Sequence, residues 1–189
     1  MNLFRLTIKT ALNTGLIIAV VVLSLLAPGA EADEDYLPQE VRLGMLAHNL
    51  GLIASKKEHG TDVNAELVWG ELAWRLGGKP TLGVAINNLG YTSFVYSGLS
   101  WSFYLDEHRT GLFVIPFLGL AVHDGELEPK GDHRGMGCRV VFREAIDIGW
   151  RFSEQYALSL VTDHLSHGGF CTDRNQGLDS SGVRLHIHF

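Results

Sequence analysis

The residues that could carry out a reaction lie together near the C-terminus, in segment 163–169 with the sequence DHLSHGG. His164 and Ser166 are two positions apart, so in an extended strand their side chains share a face. A serine hydroxyl becomes a nucleophile when a base takes its proton, and a third group must hold that base in the right tautomer. Asp179, one loop downstream, supplies a carboxylate. These residue types indicate a Ser–His–Asp site, although polar residues at the rim of a strand would show the same tripeptide.

The elements that would position these residues are β-strands. After residue 40 the chain consists of apolar or alternating runs, separated by short turns and longer polar loops, and no run has a helical stripe. Short turns at one end and longer loops at the other are typical of outer-membrane barrels, whereas a soluble barrel or sandwich is the alternative. We predict that residues 41–189 form one all-β domain, an eight-stranded antiparallel outer-membrane β-barrel. The predicted strands are 41–54, 62–76, 80–90, 92–105, 111–123, 136–151, 155–166 and 181–189.

The sixth predicted strand shows which face of the wall meets lipid. Arg143 and Asp147 alternate there with Phe142, Ile146 and Ile148. In a barrel of eight strands the lumen is filled by side chains and the outer face meets hydrocarbon, so this alternation predicts a charged lumen and an apolar outer face. A soluble barrel that binds an apolar ligand inside would need the opposite arrangement.

The same alternation in the seventh predicted strand assigns the candidate residues to faces. His164 and Ser166 fall on the apolar-rich outer face, at the end that bears the long loops. Asp163 falls on the opposite face, where we expect it to join the charges of the lumen, with Arg139 or Arg184 as its partner. An ester carried by a membrane lipid would then reach the site without entering the barrel.

Two residues do not fit this pattern. Glu144 falls on the lipid-facing register of the sixth strand, where a charge is costly, so we predict a bulge there or a position near the rim. Pro116 lies inside the fifth predicted strand and lacks the N–H that a ladder needs. We therefore expect that strand to be two shorter pieces.

The N-terminus has the features of a secretory signal peptide. Two basic residues precede an apolar run at 16–27, and the small-residue pattern Ala-Glu-Ala follows at 30–32. We predict that residues 1–32 are a signal peptide cleaved after Ala32 and that residues 33–40 are an acidic leader. A retained membrane anchor is the alternative, but the apolar run is short for a span of the bilayer.

Charge and cysteine content limit the remaining classes of function. The full chain has 15 basic and 21 acidic residues, so a basic surface for nucleic acid is not expected. Export into an oxidising compartment favours a disulfide between Cys138 and Cys171, with two free thiols as the alternative. The nine histidines are scattered, and we predict no metal site; His186 and His188 are explained as a pair facing the lumen.

Three segments together resemble a known family. Segments 137–144 (GCRVVFRE), 163–169 (DHLSHGG) and 175–179 (NQGLD) are similar to the outer-membrane lipid A 3-O-deacylase family, also called PagL-type or acyloxyacyl hydrolase. The resemblance implies an eight-stranded barrel in the bacterial outer membrane whose external face hydrolyses the ester-linked acyl chain at position 3 of lipid A.

The resemblance also implies roles for individual residues. Ser166 matches the nucleophile, His164 the general base and Asp179 the acid that orients the base. The neighbourhood associated with the oxyanion hole or with positioning comprises His167, Gly168, Gly169 and Asn175. The implied partners are lipid A or lipopolysaccharide as substrate and the surrounding outer-membrane lipid, with no cofactor, metal or nucleic acid, and a homodimer is left open.

The chain departs from the family pattern at two positions. Asp179 stands where the family often has Glu, so the loop before it must bring the shorter carboxylate closer. His167 stands where the family usually has Asn, which removes a side-chain amide, whereas main-chain donors near Gly168 and Gly169 would survive. The rival interpretation is therefore a structural or adhesive barrel, or a family member that has lost activity.

Overall fold

The chain forms nine β-strands in the part of the molecule that the structure describes. This computed structural model describes residues 37–50, 58–72, 77–107, 109–172 and 176–189. The predicted signal peptide lies outside the described residues. The strands are β1 (Glu40–Ala47), β2 (Thr61–Val68), β3 (Lys79–Asn87), β4 (Phe94–Ser100), β5 (Phe103–Tyr104), β6 (Gly111–His123), β7 (Val140–Arg151), β8 (Tyr156–Ser166) and β9 (Leu178–His188).

All neighbouring strands pair antiparallel and the sheet closes on itself. The strand order is β4-β3-β2-β1-β9-β8-β7-β6-β5, and a further pairing of β4 with β6 completes the ring. The two-residue β5 continues the wall position of β4, since both pair with β6. The wall therefore has eight strand positions, which confirms the predicted fold class. Among the described residues, no helix is long and apolar enough to cross a membrane.

Pro116 affects its neighbour rather than its own strand. β6 runs unbroken from Gly111 to His123, so the predicted division of this strand is wrong. The interruption lies across from it, at Trp101 and Ser102 between β4 and β5. The N–H of Trp101 donates to the carbonyl of Pro116 at 3.0 Å, but proline has no N–H with which to return the bond. The strand facing the proline is therefore the one that breaks.

The lumen holds a network of buried charges, as the alternation predicts. Glu66 lies 3.2 Å from Arg42 and 3.2 Å from Arg184, and Arg184 also reaches Asp147 at 2.8 Å. The arginines of this lumen network are about 1% exposed. Such charges need paired partners, because an unpaired ion in a dry interior is strongly destabilising. The charged lumen also excludes the alternative of a soluble barrel with an apolar ligand inside.

The predicted partner of one lumen carboxylate was wrong. Asp163 faces the lumen as expected, but its hydrogen bond comes from Arg143 at 3.0 Å rather than from Arg139 or Arg184. The guanidinium of Arg143 also lies 3.9 Å from the ring centroid of Tyr96. The register of β7 and β8 brings the two charged residues to neighbouring strands, which the alternation alone does not reveal.

Several strands end where the sequence pattern continues. β1 stops at Ala47 and β2 at Val68, short of the predicted ends at 54 and 76, although residues 51–57 and 73–76 are outside the described part. β7 starts at Val140 rather than at Met136, because the N–H groups of Met136 and Gly137 donate to the carbonyls of Glu126 and Leu127 instead. β9 begins at Leu178, three residues before its predicted start. This last difference matters for the candidate site.

At the end of the barrel that bears the long loops, polar residues tie the loops together. We call the set His48, Glu58, Asp62, Thr92 and Arg134 the loop-end cluster. His48 donates from Nδ1 to Asp62 at 2.8 Å and from Nε2 to Glu58 at 2.9 Å. Glu58 also accepts the main-chain N–H of Arg134 at 2.8 Å. One buried carboxylate thus holds residues from three connecting segments.

The charges in this cluster stabilise one another. Burial disfavours the protonated imidazole, yet the hydrogen bonds to Asp62 and Glu58 outweigh it and raise the pKa of His48 to about 9. Burial likewise opposes ionisation of Glu58, but the hydrogen bond from His48 lowers the pKa of that carboxyl below its usual value. Near neutral pH the two groups therefore form an ion pair inside the loop end.

Candidate active site

His164 and Asp179 lie directly opposite each other on adjacent strands. Because β9 begins at Leu178, the Cα atoms of these residues are register partners rather than being separated by a loop. His164 Nδ1 lies 2.5 Å from Asp179 Oδ1. The imidazole is 49% exposed and the carboxylate 15% exposed, so the pair faces outward with the acid partly shielded. An Nδ1–H bonded to a carboxylate leaves Nε2 as the basic nitrogen.

Ser166 is the last residue of β8, on the face that His164 shares. The alternation of exposure along β8 bears this out, since Leu165 between them is fully buried. Ser166 pairs with Phe142 of β7. Among the described residues no hydrogen bond joins Ser166 Oγ to the imidazole. Catalytic hydrogen bonds are often long without substrate and tighten when it binds, so the shared face is the relevant observation.

A tight turn follows the serine directly. Phe170 N–H donates to His167 O at 3.0 Å, and the two residues between them, Gly168 and Gly169, have φ angles of 57° and 82°. Positive φ at both central positions is what a type I′ turn requires, and glycine adopts it without strain. The Gly-Gly pair therefore reverses the chain within four residues of Ser166.

The side chain of His167 points away from the outer face. It is 2% exposed, and its Nδ1 accepts the N–H of Gly169 at 3.2 Å. The ring thus holds the turn in shape rather than reaching toward a substrate on the outside. Within the described part of the turn, the main-chain N–H of Gly168 makes no hydrogen bond, so it is available as a donor. Asn175, the other predicted member of the oxyanion neighbourhood, lies outside the described residues.

Glu144 completes a row of outward-facing polar residues. It pairs with His164 on β8 and with Leu118 on β6, and the register of β7 is continuous on both sides. The predicted bulge is therefore absent from β7, and the charge lies beside the candidate site instead. His164 has a carboxylate-bearing neighbour on each adjacent strand, Glu144 on one and Asp179 on the other.

An apolar groove on the outer wall begins one row below these residues. It has a volume of about 510 Å³, and its lining includes Ile146, Ile148, Leu160, Thr162 and Val183. Thr162 pairs with Ile146, and Leu160 pairs with both Ile148 and Val183. Two residues along a strand span about 7 Å, so the groove extends from the polar row toward the middle of the wall.

Two contacts fasten the segment between β8 and β9 to the segment between β6 and β7. Cys138 and Cys171 form a disulfide with Cα atoms 6.1 Å apart. Near the other end, Gln176 Oε1 accepts the N–H of Gly135 at 3.0 Å, and its carbonyl accepts a hydrogen bond from Arg134. The segment that carries the turn and leads into Asp179 is thus held at two points.

Sequence patterns alone did not single out Arg134 or Gln176, and they assigned Glu144 only to the lipid-facing register. The contacts of Arg134 and Gln176 join loops far apart in the chain, and no local spacing reports them. The neighbours of Glu144 depend on the register of three strands.

Among the described residues, no group of three or more His, Cys, Asp or Glu side chains is arranged to hold a metal ion.

Comparisons with known proteins agree with this architecture. A family-wide sequence profile, Lipid A 3-O-deacylase (PagL), matches residues 47–188. No curated protein sequence matches the chain. The crystal structure of the outer membrane enzyme PagL matches with a TM-score of 0.56 and 16% identity, over 78% of this chain and 99% of that one.

A second solved barrel has a similar fold. The N-terminal β-barrel domain of Pseudomonas aeruginosa OprF matches with a TM-score of 0.50 and 11% identity, over 80% of this chain and 98% of that one. At such identities the two structures establish a likeness of fold, whereas the sequence profile spans nearly the whole barrel.

Proposed function

Because the chain belongs to the lipid A 3-O-deacylase (PagL) family, we propose that it is an outer-membrane serine esterase that removes the 3-O-acyl chain of lipid A. The observation that carries the proposal is the hydrogen bond between His164 and Asp179 on the outer face of the wall. It supplies an oriented base two residues from a serine, beside an apolar groove. These are the parts that hydrolysis of a lipid ester needs.

The first half of the proposed reaction forms an acyl-enzyme. Ser166 Oγ attacks the ester carbonyl carbon while His164 Nε2 takes the hydroxyl proton, and Asp179 stabilises the resulting imidazolium. The carbonyl oxygen becomes an oxyanion, for which we assign the N–H of Gly168 as a donor. When this intermediate collapses, the bond to the sugar oxygen breaks and His164 returns its proton to that oxygen.

The second half releases the fatty acid. A water molecule gives its proton to His164 and attacks the acyl-enzyme carbonyl, and a second tetrahedral intermediate forms. Its collapse breaks the bond to Ser166 Oγ, which takes the proton back from the imidazolium. The products are a fatty acid and lipid A with a free hydroxyl group at position 3, and the enzyme returns to its starting state without a cofactor.

The groove on the outer wall supports an acyl chain as the group transferred. Its lining is almost entirely apolar, and it starts directly below the row that contains His164. From Tyr156 to His164, β8 covers about 27 Å along the strand, and at the usual tilt of about 40° this corresponds to about 20 Å across the membrane, most of an apolar band about 25 Å tall. In our proposal the polar row therefore lies at the outer rim, and the acyl chain descends along the wall.

The same proposal includes the route to the membrane and the assembly state. We expect export with cleavage after Ala32, followed by insertion of the barrel in the outer membrane of a Gram-negative cell. The oligomeric state is left open, and size measurements in detergent would determine whether the barrel forms a homodimer. All the proposed catalytic residues come from one chain, so the proposed reaction does not depend on dimerisation.

Lipid A analysis tests the proposed function directly. We expect wild-type protein expressed in a Gram-negative host to convert lipid A to a form that lacks one 3-O-acyl chain, as mass spectrometry would show. Ser166→Ala should abolish the conversion. Ser97→Ala is the matched control, because Ser97 faces outward on β4, well away from the site. Unchanged lipid A in membranes that contain folded wild-type barrel would reject the proposal in favour of a non-catalytic barrel.

A further inference from the structure

We infer that Arg134 is a positioning residue for the proposed hydrolysis, acting through Gln176 to hold the segment that precedes Asp179 against His164. The inference rests on the proposed function. Arg134 lies in the segment between β6 and β7, which contributes no group to the reaction. In the inferred role it nevertheless helps to determine the rate. Arg134 is 4% exposed, so it acts from inside the loop end rather than by touching substrate.

The side chain of Arg134 bridges two segments. One guanidinium nitrogen, Nη1, donates to Asn49 Oδ1 at 2.6 Å, and the other, Nη2, donates to the main-chain carbonyl of Gln176. The next residue, Gly135, donates its N–H to Gln176 Oε1 at 3.0 Å. Gln176 is thus held by both its main chain and its side chain.

The arginine itself is fixed before it makes these contacts. Its main-chain N–H donates to Glu58 Oε1 at 2.8 Å, and Asn49 Nδ2 donates to the carbonyl of Glu58 at 3.1 Å. The main chain of Arg134 and the side chain of Asn49 are therefore both hydrogen-bonded to Glu58, which is buried. Because Arg134 is itself held in place, its guanidinium can fix the position of the Gln176 carbonyl that accepts its hydrogen bond.

The held segment touches the catalytic base. Gly177 follows Gln176 directly and has a φ of +58°. A Cβ at this position would lie 3.0 Å from His164 Cε1 and 3.2 Å from the carbonyl oxygen of Leu165. The backbone at 177 thus packs against one edge of the imidazole, and Asp179 binds the ring two residues later. Since Gly177 follows Gln176 directly, a shift of Gln176 would move the backbone that packs against the ring, at the end of β9 that carries Asp179.

The chemistry of arginine suits this task. Its planar guanidinium presents donors in fixed directions, so it can serve the Asn49 amide oxygen and the Gln176 carbonyl at the same time. Lysine would keep the charge but offer a flexible point donor. Burial lowers the pKa of the Arg134 guanidinium, and the negative charges of Glu58 and Asp179 oppose that shift.

Kinetics of purified protein in mixed micelles test the inference. With an ester substrate, we expect Arg134→Met to lower kcat about 10-fold to 100-fold while KM changes less than about 3-fold, because a small misplacement of reacting groups costs rate rather than binding. Arg134→Lys should recover part of the loss. The matched control is Arg139→Met, because Arg139 donates to carbonyls of its own segment and not to Gln176. The control should stay within about 2-fold of wild type.

Chemical rescue separates positioning from a general structural role. Millimolar guanidinium ion should raise kcat of Arg134→Ala, whose truncated side chain leaves room for the ion, and leave wild type unchanged, with all variants showing the gel mobility of a folded barrel. If folded Arg134→Met has wild-type kcat, the inference is overturned. If its loss of kcat is accompanied by an equal loss in Arg139→Met, the inference is also overturned, because the effect is then not specific to the bridge.

A milder variant covers the case in which Arg134→Met does not fold. Gln176→Ala leaves the arginine in place and removes the acceptor for the Gly135 N–H. We expect kcat to fall about 3-fold to 10-fold with KM retained, and wild-type kcat would overturn the inference. The proposed function fails separately, if folded wild-type protein does not hydrolyse the ester or if Ser166→Ala retains the wild-type rate.

Discussion

The hydrogen bond between His164 and Asp179 determines which imidazole nitrogen can act as a base. The two residues face each other across β8 and β9, so the strand pairing sets their distance rather than a flexible loop. An aspartate is one methylene shorter than a glutamate, and at this register its Oδ1 lies 2.5 Å from His164 Nδ1. The shorter side chain therefore still reaches the imidazole.

Replacing Asp179 tests whether the acid must be charged. We expect Asp179→Asn to lower kcat about 100-fold to 10,000-fold, because an amide can present its N–H to Nδ1 and then favours the wrong tautomer. The measurement is the rate of ester hydrolysis by folded protein in mixed micelles. Asp179→Glu is the control that keeps the charge, and it should lose less activity. Equal rates for Asp179→Asn and wild type would exclude Asp179 from the proposed triad.

For individual residues of the candidate site, the sequence predicted the residue type and the face of the strand more readily than it predicted the contacts. His164 and Ser166 share the outer face as the alternation of β8 predicts, because strand geometry is local. The inward orientation of the His167 ring continues the same alternation, whereas its hydrogen bond from the N–H of Gly169 depends on the type I′ turn at Gly168 and Gly169. The contact between Gly177 and the imidazole depends on a loop that returns from elsewhere.

The loop-end cluster gives the connecting segments a pH-dependent stability. His48 is protonated in the folded protein near neutral pH, since its pKa is about 9 rather than about 6.5. A raised pKa contributes stability that is fully present below pH 6.5 and is lost as the pH rises through about 9. The shift corresponds to a contribution of about 3 kcal/mol.

Unfolding measurements at several pH values test this linkage. We expect the free energy of unfolding of the wild-type barrel, measured by urea titration in detergent, to fall by about 3 kcal/mol more between pH 6 and pH 10 than that of His48→Gln. The difference between the two proteins is informative because other groups also titrate in this range. Parallel curves for the two proteins would show that His48 does not carry the effect.

Strands were predictable where the residues on their two faces differ strongly in polarity. β8 agrees with its predicted bounds to within one residue and β7 ends at Arg151 as predicted, because apolar residues recur at every second position along most of each strand. The start of β9 was missed because Asp179 and Ser180 are residue types that are common in loops. In the barrel, Ser180 donates to Asp62 at 3.2 Å and Ser181 donates to Thr162 at 2.9 Å. Other strands of the barrel thus supply partners that a local pattern does not contain.

The whole barrel depends on the charges of its lumen as well as on its lipid-facing wall. Arg184 on β9 bridges Asp147 on β7 and Glu66 on β2, and it donates to Asn64 at 2.9 Å. Residues from three strands around the ring are thereby connected through the interior. Alternation predicted that these charges face inward, but their pairing follows from the closure and register of the whole ring.

Removing one lumen cation should destabilise the entire barrel. We expect Arg184→Met to lower the free energy of unfolding by about 3 to 5 kcal/mol, because Asp147 and Glu66 would lose a buried partner. Urea titration of the barrel in lipid vesicles, followed by tryptophan fluorescence, measures this change. Arg184→Lys keeps a positive charge and should lose less. An unchanged unfolding free energy for Arg184→Met would mean that the network does not support the fold.

The outward position of His164 has a consequence for the kinetics of the proposed reaction. Since the lumen is filled by charged side chains, substrate can approach the site only from the leaflet beside the wall. The encounter is then a lateral one in two dimensions, and the relevant concentration is the mole fraction of substrate among neighbouring lipids. Dilution by inert lipid would slow such a reaction at constant bulk concentration, so lipid composition and packing become natural regulators of the rate.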